Sequence, residues 1–131
     1  MIAVVDDEKS VGKALVRLLL AMGYSAQAFT SGADFLRNWP TNRPDCLLLD
    51  LQMPELSGVD VQRALNHAEA HFPVVILTAY DSPSSRAECL QEGAIAYLCK
   101  PVDVRLLLDV LKLANQAPIR SPVRSRAKQD C

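Results

Sequence analysis

The chain has 131 residues, half of them hydrophobic, with 14 Lys and Arg against 15 Asp and Glu and a net charge of -1. That length and apolar content suffice for one compact domain whose core needs neither disulfides nor a structural metal. No run approaches the roughly 18 uninterrupted apolar residues of a membrane span, and Asp6 arrives too early for the apolar segment of a signal peptide, so the expected location is cytoplasmic, with no membrane contact.

Taken in chain order, two patterns alternate. Ile2 to Val5 is a short apolar run that stops on Asp6, Asp7 and Glu8, as a buried strand would. Val11, Ala14, Leu15, Leu18, Leu19 and Met22 follow helical spacing, with Gly23 placed to end the helix. Ala26 to Phe29 predicts the second strand, and Ala33, Leu36 and Trp39 mark a shorter helix. Cys46 to Leu49 predicts a third strand running into Asp50, and Val61, Leu65 and Ala68 form the seam of the third helix. His67 and His71 share the end of that helix at i, i+4, but without H-E-x-x-H order they read as a solvated terminus. Val74 to Leu77 leads into Thr78 and Ala79. Ser82 and Pro83 then serve as N-cap and first residue of a fourth helix that closes near Gly93. Ala96 to Leu98 precedes Lys100-Pro101, and Leu106, Leu107, Val110, Leu111 and Ala114 line the last helix, with Val104, Leu108 and Leu113 off that seam. The runs "CLLL" and "VVIL" lack in/out alternation, as expected of strands covered on both faces.

Beyond Ala117 the composition changes. Arg120, Arg124, Arg126 and Lys128 face a single Asp130, which makes this segment basic and leaves the acidic excess in the body. Rich in Ser, Pro and Arg and without apolar periodicity, residues 117–131 read as a disordered tail or linker, too short to build a helix-turn-helix, and no direct nucleic-acid binding is expected of this chain. Cys46, Cys89, Cys99 and Cys131 contain no C-x-x-C pair. That argues against a zinc knuckle, a thioredoxin-like site and a disulfide framework.

Five strands alternating with five helices indicate an α/β fold: an open, mostly parallel sheet with helices on both faces. Ligands bind such sheets beyond the carboxyl ends of the strands. Those ends carry Asp6-Asp7, Asp50, Thr78 and Lys100, so three acids, a hydroxyl and an ammonium converge on one edge. Clustered carboxylates need a cation, a proton or a task. Taken singly, each residue has a plainer reading: Asp6, Asp7 and Glu8 as dipole and cap residues, Thr78 as a strand end, Lys100 as a solvated charge, Asp50 as the start of a turn before Pro54.

Taken together, "VVDDE", "LLLDLQMPELSG", "ILTA" and "GAIAYLCKP" resemble, in order and spacing, the receiver domain of bacterial two-component response regulators over about residues 1 to 116. The resemblance implies a flavodoxin-like, doubly wound five-stranded sheet of order 2-1-3-4-5. It also implies a function, acceptance of a phosphoryl group onto Asp50 from a sensor histidine kinase or phosphotransfer protein. No enzyme activity beyond the chain's own phosphorylation and dephosphorylation is then expected. Mg²⁺ or Mn²⁺ would be held by Asp7, Asp50 and the backbone carbonyl of Gln52, with Asp6 acting mainly through water. Thr78 and Lys100 would contact the phosphoryl group, and Tyr97 would be the switch aromatic that turns from exposed to buried. Receivers usually hold the bond matching Lys100-Pro101 cis. Gln52 and Tyr80 would tune the lifetime of the phosphorylated state. The face made by the fourth helix, fifth strand and fifth helix would rearrange. Ser84, Ser85, Cys89, Val104, Arg105 and Leu108 are expected surface positions on it, and the off-seam apolar residues of the last helix lead us to expect a partner contact or a phosphorylation-dependent homodimer there. The "ADFL" of the second helix resembles receivers attached to helix-turn-helix transcription factors.

Other classes fit less well. A flavin carrier would want a hydroxyl- and glycine-rich loop where "DDEKS" stands, a P-loop NTPase needs G-x-x-x-x-G-K-[ST], and a haloacid-dehalogenase-like phosphatase needs D-x-D at the first strand. The alternative that survives is a non-phosphorylated, receiver-like interaction module.

Overall fold

The computed structural model describes residues 1–116; the basic segment 117–131, and the tail or linker expected there, lie outside the described residues. The apolar runs become five parallel strands, β1 (Ile2–Val5), β2 (Ala26–Phe29), β3 (Cys46–Asp50), β4 (Val74–Thr78) and β5 (Ala96–Cys99). They are ordered β2-β1-β3-β4-β5, the expected topology. Between and after them run α1 (Lys9–Ala21), α2 (Gly32–Asn38), α3 (Gly58–His67), α4 (Pro83–Gln91) and α5 (Val104–Gln116).

Because side chains alternate across a strand, the sheet sorts its residues into two cores. Ile2, Val4, Cys46, Leu48, Val75, Leu77, Ala96 and Leu98 pack against Leu15 and Leu19 of α1 and Leu107, Val110 and Leu111 of α5. Ala3, Val5, Leu47, Leu49, Ile76 and Tyr97 face the other way, toward Phe35 of α2, Val59, Val61 and Leu65 of α3, and Cys89 of α4. Apart from β2, at the edge, the strands are covered on both faces. This is why their sequences carry no alternation.

Helix ends follow local chemistry. Gly23 and Gly93 take positive φ immediately after α1 and α4, where they let the chain leave the helix. Ser82 accepts from the Ser85 amide with Pro83 at the first helical position, and Ser57 and Asp60 form a reciprocal capping box on α3. Three expectations need correction. On α2 the buried side chain is Phe35, stacked edge-on with Phe29 and Phe72, while Ala33, Leu36 and Trp39 are only half-buried. Ala14 and Ala68 are exposed, so the apolar stripes of α1 and α3 are narrower than their spacing suggested. Finally, α3 stops at His67 and the chain turns through Glu69 at φ 56, so His71 is not on the helix with His67.

Candidate functional site

The parallel ladders continue one residue beyond β1 and β5, and this carries the site residues into place. The Asp6 amide donates to the Phe29 carbonyl at 3.1 Å and the Lys100 amide to the Thr78 carbonyl at 2.7 Å. Alternation therefore persists. Asp6 continues the Ile2/Val4 side, Asp50 the Cys46/Leu48 side and Lys100 the Ala96/Leu98 side, so all three side chains meet on the α1/α5 side of the sheet's carboxyl edge. Thr78 continues Ile76 onto the opposite side, which it shares with Tyr97.

At that edge Lys100 Nζ lies 2.7 Å from Asp6 Oδ2 and 3.1 Å from Asp50 Oδ1. Asp6 and Asp50 are only 2% and 6% exposed, and Asp6 Oδ1 also accepts from the Glu8 amide at 2.9 Å. Glu8, the N-cap of α1, makes no side-chain capping bond. The Glu8 side chain therefore does not serve as the cap. Asp6, Asp7 and Asp50 each offer a carboxylate oxygen, and these oxygens lie within 4.8 Å of one another.

The electrostatics follow from this crowding. Burial pushes the Asp50 carboxyl up to about 6, the Asp6 charge and a hydrogen bond with Asp7 add to the rise, and Lys100 opposes it. Burial works against the Lys100 ammonium, but the bond to Asp6 and the charges of Asp50 and Asp6 outweigh it, and its pKa is raised. Three carboxylates beside one ammonium leave an excess of two negative charges when all are ionised. An all-oxygen donor set with that excess, without sulfur or imidazole, suits a hard divalent cation.

Thr78, fully buried, donates its hydroxyl to the Tyr80 carbonyl at 3.1 Å and to Gln52 Oε1 at 3.3 Å, and accepts from the Tyr80 amide at 3.0 Å. The Gln52 side chain thus lies against Thr78 across the mouth of the site, and Tyr80 is 71% exposed beside it. The Lys100–Pro101 bond is cis. Tyr97 is fully buried, and burial pushes its phenol up to about 12, with a hydrogen bond to the Asp81 side chain and the Asp81 charge adding to the rise and the Ser82 backbone opposing it. The Arg86 guanidinium sits 5.2 Å from the centre of its ring.

Of the positions expected on the partner face, Val104 is exposed at 48%, Ser84 and Arg105 are exposed, and Ser85 and Leu108 are half-buried. Cys89 is a correction: it is completely buried against the sheet, its thiol raised to about 12 by that burial. α4 buries no other residue, so Cys89 anchors the helix. Sequence reading also missed Arg86, whose neighbours come from distant chain segments, and Gln62. The latter is buried on α3, where its Nε2 donates to the Cys89 carbonyl at 3.0 Å.

The response regulator receiver domain family matches residues 2–112. Response regulator MprA of Mycobacterium sp. (strain KMS) is 41% identical over 123 residues, covering 92% of this chain and 54% of that protein. Response regulator protein TodT of Pseudomonas putida is 31% identical over 134 residues, covering 99% of this chain and 59% of that one. The chain thus spans little more than half the length of these relatives. Among solved structures, a response regulator receiver protein from Burkholderia phymatum superposes with a TM-score of 0.78 at 41% identity over 89% of this chain and 95% of that one. The Francisella response regulator 1452 receiver domain does so with a TM-score of 0.82 at 27% identity, over 88% and 95%. No helix among the described residues is long and apolar enough to cross a membrane. A match over most of the chain, a shared sheet order and an acidic cluster at the carboxyl edge agree: the chain belongs to the response regulator receiver domains of two-component signalling.

Proposed function

We propose that Asp50 accepts a phosphoryl group from a histidine kinase or phosphotransfer protein and that the chain thereby switches an output or a partner. The observation that carries this reading is the position of Asp50. It ends the central strand β3 and is nearly buried, in contact with Lys100 and within reach of the Asp6 and Asp7 oxygens.

In the reaction an Asp50 carboxylate oxygen attacks the phosphorus of a phosphoimidazole, the P–N bond breaks with its electron pair passing to the imidazole nitrogen, that nitrogen takes a proton from water, and an acyl phosphate remains on Asp50. A carboxylate is a modest nucleophile, so placement and charge neutralisation supply most of the rate. Asp6, Asp7 and Asp50 suit Mg²⁺ or Mn²⁺, which when bound neutralises charge on the phosphoryl oxygens. Lys100, already paired to Asp6 and Asp50, is placed to keep Asp6 while its other contact passes from Asp50 to the phosphoryl group. Thr78 is placed to exchange its bonds to Tyr80 and Gln52 for one to a phosphoryl oxygen, and that exchange is the first movement of the switch. Attack by water on the acyl phosphate reverses the modification. The chain thus catalyses only its own phosphorylation and dephosphorylation.

Intact mass after incubation with acetyl phosphate and Mg²⁺ tests the reading. The expected result is a gain of about 80 Da in the wild type and none in Asp50→Asn. A folded wild type that gains no mass, and binds no beryllofluoride, would instead be a receiver-like interaction module.

A further inference from the structure

We infer that Cys99 and Cys131 form a reversible disulfide, which ties the basic C-terminal segment back to the phosphoacceptor edge and slows phosphorylation under oxidation. The bond rests on the cysteines alone, whereas its effect on phosphorylation rests on the receiver reading above.

Cys99 ends β5. It follows Tyr97 by two residues and so takes the same side of the sheet, paired in register with Thr78 and directly before Lys100. It is only half-buried, and it is disulfide-bonded, whereas Cys46 and Cys89 are free thiols. The chain has four cysteines, and elimination leaves Cys131 as the partner. Reactivity selects the same pair. Burial pushes the Cys46 and Cys89 thiols up to about 12, and a thiol kept neutral is a poor nucleophile. Chain length permits the bond. α5 runs for 13 residues, about 20 Å, from the carboxyl edge back to the start of β1, where Ala114 and Asn115 line a cleft with Met1 and Ile2. Fifteen residues then separate Gln116 from Cys131, a reach of up to about 50 Å. That is more than twice the return distance.

A peroxide balances the reaction. One thiolate attacks a peroxide oxygen, the O–O bond breaks with its electron pair leaving as hydroxide, and the sulfur becomes a sulfenic acid. The second thiolate attacks that sulfur and expels a second hydroxide. With the two protons the thiols gave up, the products are one disulfide and two waters. Exchange with a thiol reductant restores both cysteines. Where thiols are otherwise kept reduced, a bond of this kind is a redox-sensing one. Its electrostatic consequence follows from the sequence beside it. Arg124, Arg126 and Lys128 stand seven, five and three residues before Cys131, so the bond confines them to within about 10–25 Å of Cys99. Asp130 offsets only one of them. The remaining positive charge is held near the edge where the Asp6, Asp7 and Asp50 oxygens cluster, and it opposes the approach of a divalent cation to that cluster. Salt screens this repulsion without abolishing it.

The test uses the full chain, reduced, treated with one equivalent of hydrogen peroxide and then blocked with N-ethylmaleimide. The expected product is a monomer whose unreduced digest contains a peptide pair joining Cys99 to Cys131, lost in Cys131→Ser and after dithiothreitol. Blocked Cys99 and Cys131 after peroxide, or a link between chains in place of the internal one, would overturn the bond. With acetyl phosphate and Mg²⁺, the gain of about 80 Da is expected to be about 2- to 5-fold slower in the oxidised wild type than in the reduced one. Peroxide should leave the rate of Cys131→Ser unchanged. Equal rates in a chain that carries the link would overturn the regulation. If neither redox form gains mass, the receiver chemistry fails with it, and the linked peptide still decides the bond.

Discussion

Asp50 must be ionised to attack phosphorus, yet its surroundings favour its proton. Burial and the neighbouring Asp6 raise its pKa to about 6 in the folded chain, against about 3.9 for an unfolded aspartate. The folded state therefore holds this proton more tightly than the unfolded one. The resulting stabilisation is complete below about pH 4 and is lost as the pH climbs to about 6, so the metal-free protein should be less stable at pH 7 than at pH 4.5 on account of this group. Asp50→Asn should remove that slope and stabilise the metal-free chain at pH 7 by on the order of 1–2 kcal/mol, with little effect near pH 4. Urea unfolding in EDTA across that range checks it, and added Mg²⁺ should stabilise the wild type more than the variant. A second residue-scale strain lies close by. Glu55, in the loop after β3, holds φ 69, a left-handed conformation costing a residue with a Cβ about 1–2 kcal/mol. Glu55→Gly should raise the thermal midpoint by a few degrees, read by circular dichroism. Asp50, Asp7, Thr78 and Lys100 were all legible as residue types at strand ends. The share of Lys100 that goes to Asp6 was not, because it depends on which face each side chain takes.

At the scale of elements, two glycines show how tightly the helices approach the sheet. A Cβ on Gly58 would stand 2.7 Å from the Asp50 carbonyl oxygen and 2.9 Å from the Leu51 Cα. Backbone cannot yield as a flexible side chain would, so Gly58→Ala must push the start of α3 away from β3. The expected cost is about 2–3 kcal/mol in chemical denaturation, with slower phosphorylation of the displaced Asp50. Gly12, inside α1, is the opposite case. Its Cβ would meet Ala28 at an ordinary 3.5 Å, and Gly12→Ala should stabilise the protein by up to about 1 kcal/mol. The strands and the Ser82-Pro83 start of α4 followed directly from sequence. The burial of Cys89 did not, because a helix that buries one residue has almost no periodic signal to read. Phe35 went unread for a related reason: its partners Phe29 and Phe72 are distant in sequence.

For the whole molecule, the question is what the α4-β5-α5 face meets. Val104 is exposed, and Leu108 and Leu113 of α5 are half-buried, more apolar surface than one covered stripe requires. If phosphorylation favours self-association through this face, wild type with Mg²⁺ and beryllofluoride should elute earlier than Asp50→Ala by size exclusion with light scattering. Val104→Asp should abolish the shift. Monomers throughout would assign the face to a different partner.

The order of elements, the parallel sheet and the edge that gathers the acids were settled by the sequence alone. Local periodicity and strand-end chemistry report on neighbours along the chain, and four parallel crossovers leave one edge for all five carboxyl ends. Only the tertiary structure decided which side of that edge each group takes: Asp6, Asp50 and Lys100 together, Thr78 and Tyr97 opposite, Arg86 over the ring. Those contacts join residues far apart in sequence, and their distances depend on register and packing that no local pattern encodes.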